Sequence, residues 1–405
     1  MRSCVENGCD RQAFLRLLVR ACVLLIAIIV AAIAAAQTPP RLERCIGKDN
    51  PPAAARIADC TAFLQSGDLA PADRAAALLG RGFAFWMAGD NDRAIADYSA
   101  AIDLTPDDAA AYFRRGDAYG RNGEISLAIA DYDRSLALNA TNAVALNNRG
   151  YLRSRGGDLD GAIRDYDEAI RLSPTAVLAF LNRAQAFAAK GDLDRAIADN
   201  GAAVALLPDF PPGYLARGDA YVMKHDLEAA IRDYGAAIAR DPHFVPALLN
   251  RAYAYANQGH YDLAIMDYDQ VIRVEPASAN AYNGRGAAHW SRGQCRRVEE
   301  EQTVRIDART TPPADAAECD AALQDYDAAI RLAPNFASAY NNRGFAYANR
   351  GEFERAIHDF DRAIALEPDY ASARFNRGVA KLEKGDASGG ADIAQARRQD
   401  PGVGK

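Results

Sequence analysis

Four cysteines, a row of asparagines and two matched rows of opposite charge are the residues here whose types and spacing can do chemistry. Cys45 and Cys60 form one local pair, Cys295 and Cys319 another, while Cys4, Cys9 and Cys22 stand apart near the N-terminus. Thiols that recur in local pairs suit disulfides, with free thiols as the competing state. Neither pair has the short ligand spacing or the neighbouring histidines of a zinc site, so no metal is expected. His225, His243, His260, His289 and His358 scatter over unrelated positions. No phosphate-binding glycine loop, metalloprotease helix or nucleophile elbow is present, so neither a catalytic group nor a cofactor is expected.

These residues are placed by a repeat. Counting from Ala75, a small residue stands at the eighth place of each unit: Gly82, Gly116, Gly150, Ala184, Gly218, Ala252 and Gly286, a step of 34. The row resumes at Gly344 and Gly378 after one step of 58, which reads as the same unit carrying an insertion of 24. Each unit shows helical spacing twice, as in Tyr112, Gly116 and Tyr119 and then Ala94, Tyr98 and Ala101. Between the two helices a glycine seven residues on (Gly89, Gly123, Gly157, Gly191, Gly259, Gly293, Gly351, Gly385, with His225 the departure) is expected to form a left-handed cap. Asp90, Glu124, Asp158, Asp192 and Asp226 are placed to cap the second helix. A proline (Pro106, Pro174, Pro208, Pro242, Pro276, Pro334, Pro368) stops that helix and is suited to begin the next.

Nine 34-residue units with these small, aromatic and proline landmarks, among them the row Tyr98, Tyr132, Tyr166, Tyr234, Tyr268, Tyr326 and Phe360 broken only by Asn200, resemble the tetratricopeptide repeat family. The resemblance implies an all-α, right-handed superhelical solenoid of about nine helix-turn-helix repeats over residues 72–402, whose first helices line a concave groove. It places the second, fifth, sixth and ninth residues of each unit on that groove. Asn148, Asn182, Asn250, Asn342 and Asn376 then occupy the sixth place, and Asn147, Asn283 and Asn341 the fifth. An amide both donates and accepts, so such a row is able to pair with an extended peptide backbone. This row is similar to the asparagine ladder of the O-linked N-acetylglucosamine transferase superhelix; local helix contacts are the competing use. Gly80, Arg114, Ala216 and Gly284 interrupt it. Phe113 at the fifth place and Tyr151, Tyr253 and Phe345 at the ninth supply apolar neighbours.

An arginine precedes the small residue in every unit (Arg81, Arg115, Arg149, Arg183, Arg217, Arg251, Arg285, Arg343, Arg377). An aspartate precedes the aromatic row (Asp97, Asp131, Asp165, Asp199, Asp233, Asp267, Asp325, Asp359). Equal and opposite periodic rows predict a ladder of ion pairs between helices; capture of an anionic partner by the arginines is the alternative.

Residues 1–36 open with Arg2, Arg11, Arg16 and Arg20 and close with sixteen apolar residues, Ala21 to Ala36, ending in three alanines. This is the pattern of a cleaved signal peptide, with an uncleaved inner-membrane anchor as the alternative, since sixteen residues is short for a span of about 20. Either way the repeats are expected in the periplasm. Residues 37–71 read as a cysteine-stapled cap holding a degenerate half repeat, and 296–318 as a loop insertion in the seventh unit. The formal charge is −7, or −9 without residues 1–36, and no basic stripe emerges, which excludes nucleic acid as an expected partner. Two function classes remain. The first is a non-catalytic adaptor of the bacterial envelope holding a protein or extended peptide in the groove. The second is a structural envelope protein whose repeats self-associate or dock. The oligomeric state is not set by the sequence.

Overall fold

The computed structural model describes residues 40–47, 50–295 and 315–404, and among them every regular element is a helix. The proposed signal or anchor segment, residues 1–36, lies outside the described residues, as does most of the insertion. Among the described residues no helix is long and apolar enough to cross a membrane. The chain forms two compact units, residues 1–176 and 177–405.

The first unit opens with a short helix α1 (Pro40–Cys45) and α2 (Ala53–Leu64). Three antiparallel pairs follow: α3 (Pro71–Met87) with α4 (Asn91–Leu104), α5 (Ala109–Arg121) with α6 (Ile125–Leu138), and α7 (Ala143–Arg155) with α8 (Leu159–Leu172). The second unit holds six pairs. These are α9 (Val177–Ala189) with α10 (Leu193–Leu206), α11 (Pro211–Met223) with α12 (Leu227–Arg240), and α13 (Val245–Asn257) with α14 (Tyr261–Val274). After them come α15 (Ala279–Arg292) with α16 (Ala316–Leu332), α17 (Ala337–Asn349) with α18 (Phe353–Leu366), and α19 (Ala371–Glu383) with α20 (Gly389–Gln399).

Each pair closes around one contact. The glycine at the eighth place lets the first helix approach the aromatic ring of the second so closely that a Cβ would lie 2.7 Å from the Tyr98 ring at Gly82, and 2.5 Å from the Tyr234 ring at Gly218. Tyr98, Tyr166, Tyr234 and Phe360 are thereby buried almost completely, each worth roughly 1.5–3 kcal/mol of apolar transfer. The two alanines in the small-residue row have compensations. Opposite Ala184 the ring is replaced by the smaller Asn200. Opposite Ala252 the Tyr268 ring instead fills the space beside the next unit's Gly284, where a Cβ would lie 2.4 Å from it.

The arginine–aspartate ladder is present in all nine pairs. Arg217, for example, donates from Nε and Nη2 to the two oxygens of Asp233, both at 2.7 Å. The other pairs share this forked geometry, and the ninth arginine, Arg377, uses Asp392 on α20. The bond to Asp233 holds the Arg217 guanidinium above its already high pKa. Several arginines also grip the preceding unit: Arg149 reaches Asp133 at 2.6 Å, and Arg343 reaches Asp327 at 2.6 Å. One side chain thus ties three helices, which makes the row structural rather than a site for an anion.

Some local expectations need correction. Asp90, Asp158, Asp192 and Asp226 accept helix-capping bonds, but Glu124 makes none. The left-handed residue of the seventh pair is Gln294 and not Gly293; a Cβ at Gly293 would strike Glu318. His225 holds φ at 63°, a conformation that costs a side-chain-bearing residue about 1 kcal/mol. The prolines stop helices without starting them: α4 is capped at Thr105, and α5 begins at Ala109, past Pro106. The tail of the expected insertion is helical, since Ala316–Glu318 form the first turn of α16, capped by Asp315.

Both cysteine pairs are disulfide-bonded, with Cα–Cα separations of 4.7 Å for Cys45–Cys60 and 5.6 Å for Cys295–Cys319. The first joins α1 to α2 against the middle of α3, where both cysteines cluster with Ala77. The second joins the end of α15 to α16 at the base of the insertion.

Candidate partner-binding face

The asparagines lie on the first helices, half-buried except for the buried Asn341, and most of their bonds run sideways from helix to helix. In the first unit Asn148 Nδ2 donates to Asp117 Oδ1 at 3.0 Å, the oxygen that also accepts the Tyr132 hydroxyl at 2.5 Å. Asn147 donates to Asn148 Oδ1 at 3.2 Å. The second unit repeats the arrangement, with Asn250 and the Tyr234 hydroxyl both donating to Asp219 Oδ1, at 2.8 and 2.7 Å. Burial raises the Asp117 pKa, and the bonds from Tyr132 and Asn148 oppose that rise.

Further along the second unit the amides bond to one another. Asn376 donates to Asn341 at 3.1 Å, Asn341 to Asn342 at 3.5 Å, and Asn342 to Asn283 at 3.0 Å. The chain links α19, α17 and α15. An amide has two N–H donors and two acceptor lone pairs, so one lateral bond orients each group without exhausting it. Asn182 sits at the corresponding position of α9, half-buried.

Two interruptions of the sixth-place row, Gly80 and Gly284, have a steric cause in a neighbour, and the other two, Ala216 and Arg114, make contacts of their own. A Cβ at Gly80 would lie 2.7 Å from the Cys45 carbonyl oxygen of the cap, and one at Gly284 would strike Tyr268. The Ala216 carbonyl accepts from Asn200 Nδ2 at 3.0 Å, leaving Asn200 Oδ1 buried without a partner. Arg114 lays its guanidinium 5.1 Å from the Phe83 ring, whose surroundings also hold the cap's Arg56 at 5.1 Å.

The ninth place supplies the exposed apolar surface. Tyr151, Tyr253 and Phe345 are 44%, 59% and 38% exposed, far more than the tyrosines of the second helices. Phe113 is half-buried with its ring 6.0 Å from Tyr132. Phe345 meets Trp290 edge-on at 6.3 Å, and with Phe353, Phe360, Phe375 and Val379 it lines a phenylalanine-rich pocket in the last two pairs. Reading for asparagines alone passes over Asp117 and Asp219, which orient two of them. Their position at the ninth place of the second and fifth units, where the aromatic residues recur, is the signal that points to them.

An array of helical hairpins with a two-sided first-helix face is the architecture of an interaction scaffold. Sequence models of the tetratricopeptide repeat match residues 109–142, 215–270, 249–294 and 337–370, and a related TPR repeat model matches 82–123, 154–191 and 318–351. The chain belongs to the tetratricopeptide repeat family. It is similar to the C-terminal part of a TPR repeat-containing protein from Cytophaga hutchinsonii, at 18% identity with a TM-score of 0.50, over 60% of this chain and 97% of that one. It also aligns with a tetratricopeptide repeat protein from Parabacteroides merdae (18% identity, TM-score 0.45, 76% of this chain and 98% of that one). A third alignment is with the pilF protein of Pseudomonas aeruginosa (20% identity, TM-score 0.46, 52% and 96%). No curated protein matches the chain. Tetratricopeptide repeats mediate protein–protein interaction, and members of the family are typically non-catalytic scaffolds.

Proposed function

We propose that this chain is a non-catalytic adaptor of the bacterial cell envelope that holds an extended segment of a partner protein against its first helices. The observation that carries the reading is the conjunction of exposed aromatic residues, Tyr151, Tyr253 and Phe345, with oriented amides one turn away at Asn148, Asn250 and Asn342. Apolar side chains of the partner would rest on the aromatic residues while its backbone pairs with the remaining amide donors and acceptors. The compartment is argued from the basic and apolar N-terminal pattern and from two disulfides, which persist in oxidising surroundings. Residues 37–71 act as a cap to the array, closed by the Cys45–Cys60 bond.

Replacing Tyr151, Tyr253 and Phe345 together by alanine removes mainly exposed aromatic surface, with packing lost chiefly where Phe345 meets Trp290. The triple variant should lose at least about tenfold in partner capture from envelope extract, with its melting temperature within a few degrees of the parent. Undiminished capture would contradict the assignment of this face.

A further inference from the structure

Three arginines outside the ladder break the periodicity of the first unit. Arg114 takes the sixth place of the second repeat, and Arg121 and Arg155 take the thirteenth place of the second and third; that place holds no other arginine, with Met87, Ala189, Met223, Asn257, Ser291, Asn349 and Glu383 in the remaining units. Arg121 lies flat on the Trp86 ring, 3.5 Å from its centroid, and donates to the Trp86 carbonyl at 3.1 Å. Stacking of this kind fixes a guanidinium plane and leaves its remaining edge for a carboxylate. Arg121 and Arg155 are exposed, and with Trp86, Asp117, Asn148 and Tyr151 they line one open pocket of about 460 Å³. Among the described residues no carboxylate forms a salt bridge with any of the three, although Asp117 lies close enough for Arg121 and Arg114 to act against its raised pKa; the formal charge of the chain is −7. Breaks in a regular pattern are the places to look for recognition.

We infer that this pocket of the first unit binds an acidic extended peptide segment, its carboxylates on Arg121 and Arg155 and its backbone beside Asn148. The inference rests on the scaffold reading and adds the chemistry of the partner. An acidic peptide fits better than a polyanion, because the Asp117 carboxylate lines the same pocket: it accepts a peptide N–H but repels a phosphate or sulfate chain. Arg114, stacked on Phe83, extends the positive field toward the α1–α2 cap.

The test uses the full chain and three probes: a fluorescein-labelled octapeptide alternating Glu and Leu, its Gln-for-Glu counterpart, and inorganic polyphosphate as competitor. The Glu peptide should bind at least about tenfold more tightly than the Gln peptide by anisotropy, and the preference should shrink as salt rises. Arg155→Gln, with the melting temperature of the parent, should erase most of that preference, and Arg114→Asn should lower it by a smaller factor. Equal binding of the two peptides would overturn the acidic preference and leave the scaffold reading intact. Binding of neither peptide, or displacement of the labelled Glu peptide by polyphosphate at lower charge concentration than by the same peptide unlabelled, would also overturn it. If the Tyr151, Tyr253 and Phe345 variant binds both peptides as the parent does, the shared face itself is wrong.

Discussion

Asp233→Ala should destabilise the second unit by about 3 kcal/mol, and Asp359→Ala by distinctly less. Both aspartates are buried, at 7% and 1% exposure, and each takes two bonds from an arginine of the facing helix. Removing one member of such a pair leaves the other charge uncompensated, and that desolvation cost is the dominant loss. The two sites differ in what the abandoned arginine finds next. Arg343 keeps Asp327 at 2.6 Å. Arg217 has no such refuge, because the corresponding residue of the preceding unit is Gly201, whose added Cβ would lie 3.7 Å from its Nη1. Arg217 is also 24% exposed, which holds the estimate at the lower end for a buried pair. Thermal melts followed by circular dichroism decide the order; equal shifts for the two variants would show that the second carboxylate contributes nothing.

Removing the Cys295–Cys319 bond with a double alanine substitution should lower stability by up to about 3.5 kcal/mol, the loop-closure value for the 25 residues enclosed. The loss should fall on the seventh pair and its neighbours. In an array where each repeat touches only adjacent ones, weakening one interface divides the cooperative unit. Hydrogen exchange should therefore rise in α15, α16 and α17 while α11 and α12 keep their protection. The bond sits in a cluster with Trp290, Ala322, Leu323 and Tyr326, so packing is lost as well as the covalent restraint. Unreduced peptide mapping of protein from an oxidising compartment checks the premise, and two free thiols there would refute it.

The repeat, its helices and the arginine–aspartate ladder are legible in the sequence because a fixed period places each partner at a fixed offset. Arg81 and Asp97 stand 16 apart, and so do Arg217 and Asp233. The disulfides are legible for a related reason, since without the insertion Cys295 and Cys319 would fall at one repeat position. What a single repeat cannot reveal is the cause of its exceptions. Gly80 is small because of the Cys45 carbonyl, and Gly284 because of a Tyr268 ring that a two-residue compensation has moved. The oriented amides depend on Asp117 and Asp219, one repeat earlier. Such contacts are set by three-dimensional neighbours whose identities vary from unit to unit, so periodicity locates the position and is silent on its content. The left-handed Gln294 is similar: in this pair α16 is three residues longer than the 14-residue second helices before and after it, and the left-handed position falls one past Gly293.

The central claim is that the first helices hold a partner protein. Photo-crosslinking in living cells tests it most directly, with a benzophenone amino acid placed at Tyr253 or Phe345 on first helices and, as the comparison, at Leu263 or Met266 on the exposed surface of α14. The account predicts a discrete heterologous adduct from Tyr253 and Phe345 and none from Leu263 and Met266. Adducts of equal yield from both sets, or a product of twice the chain mass from Tyr253 and Phe345 alone, would contradict it and support self-association.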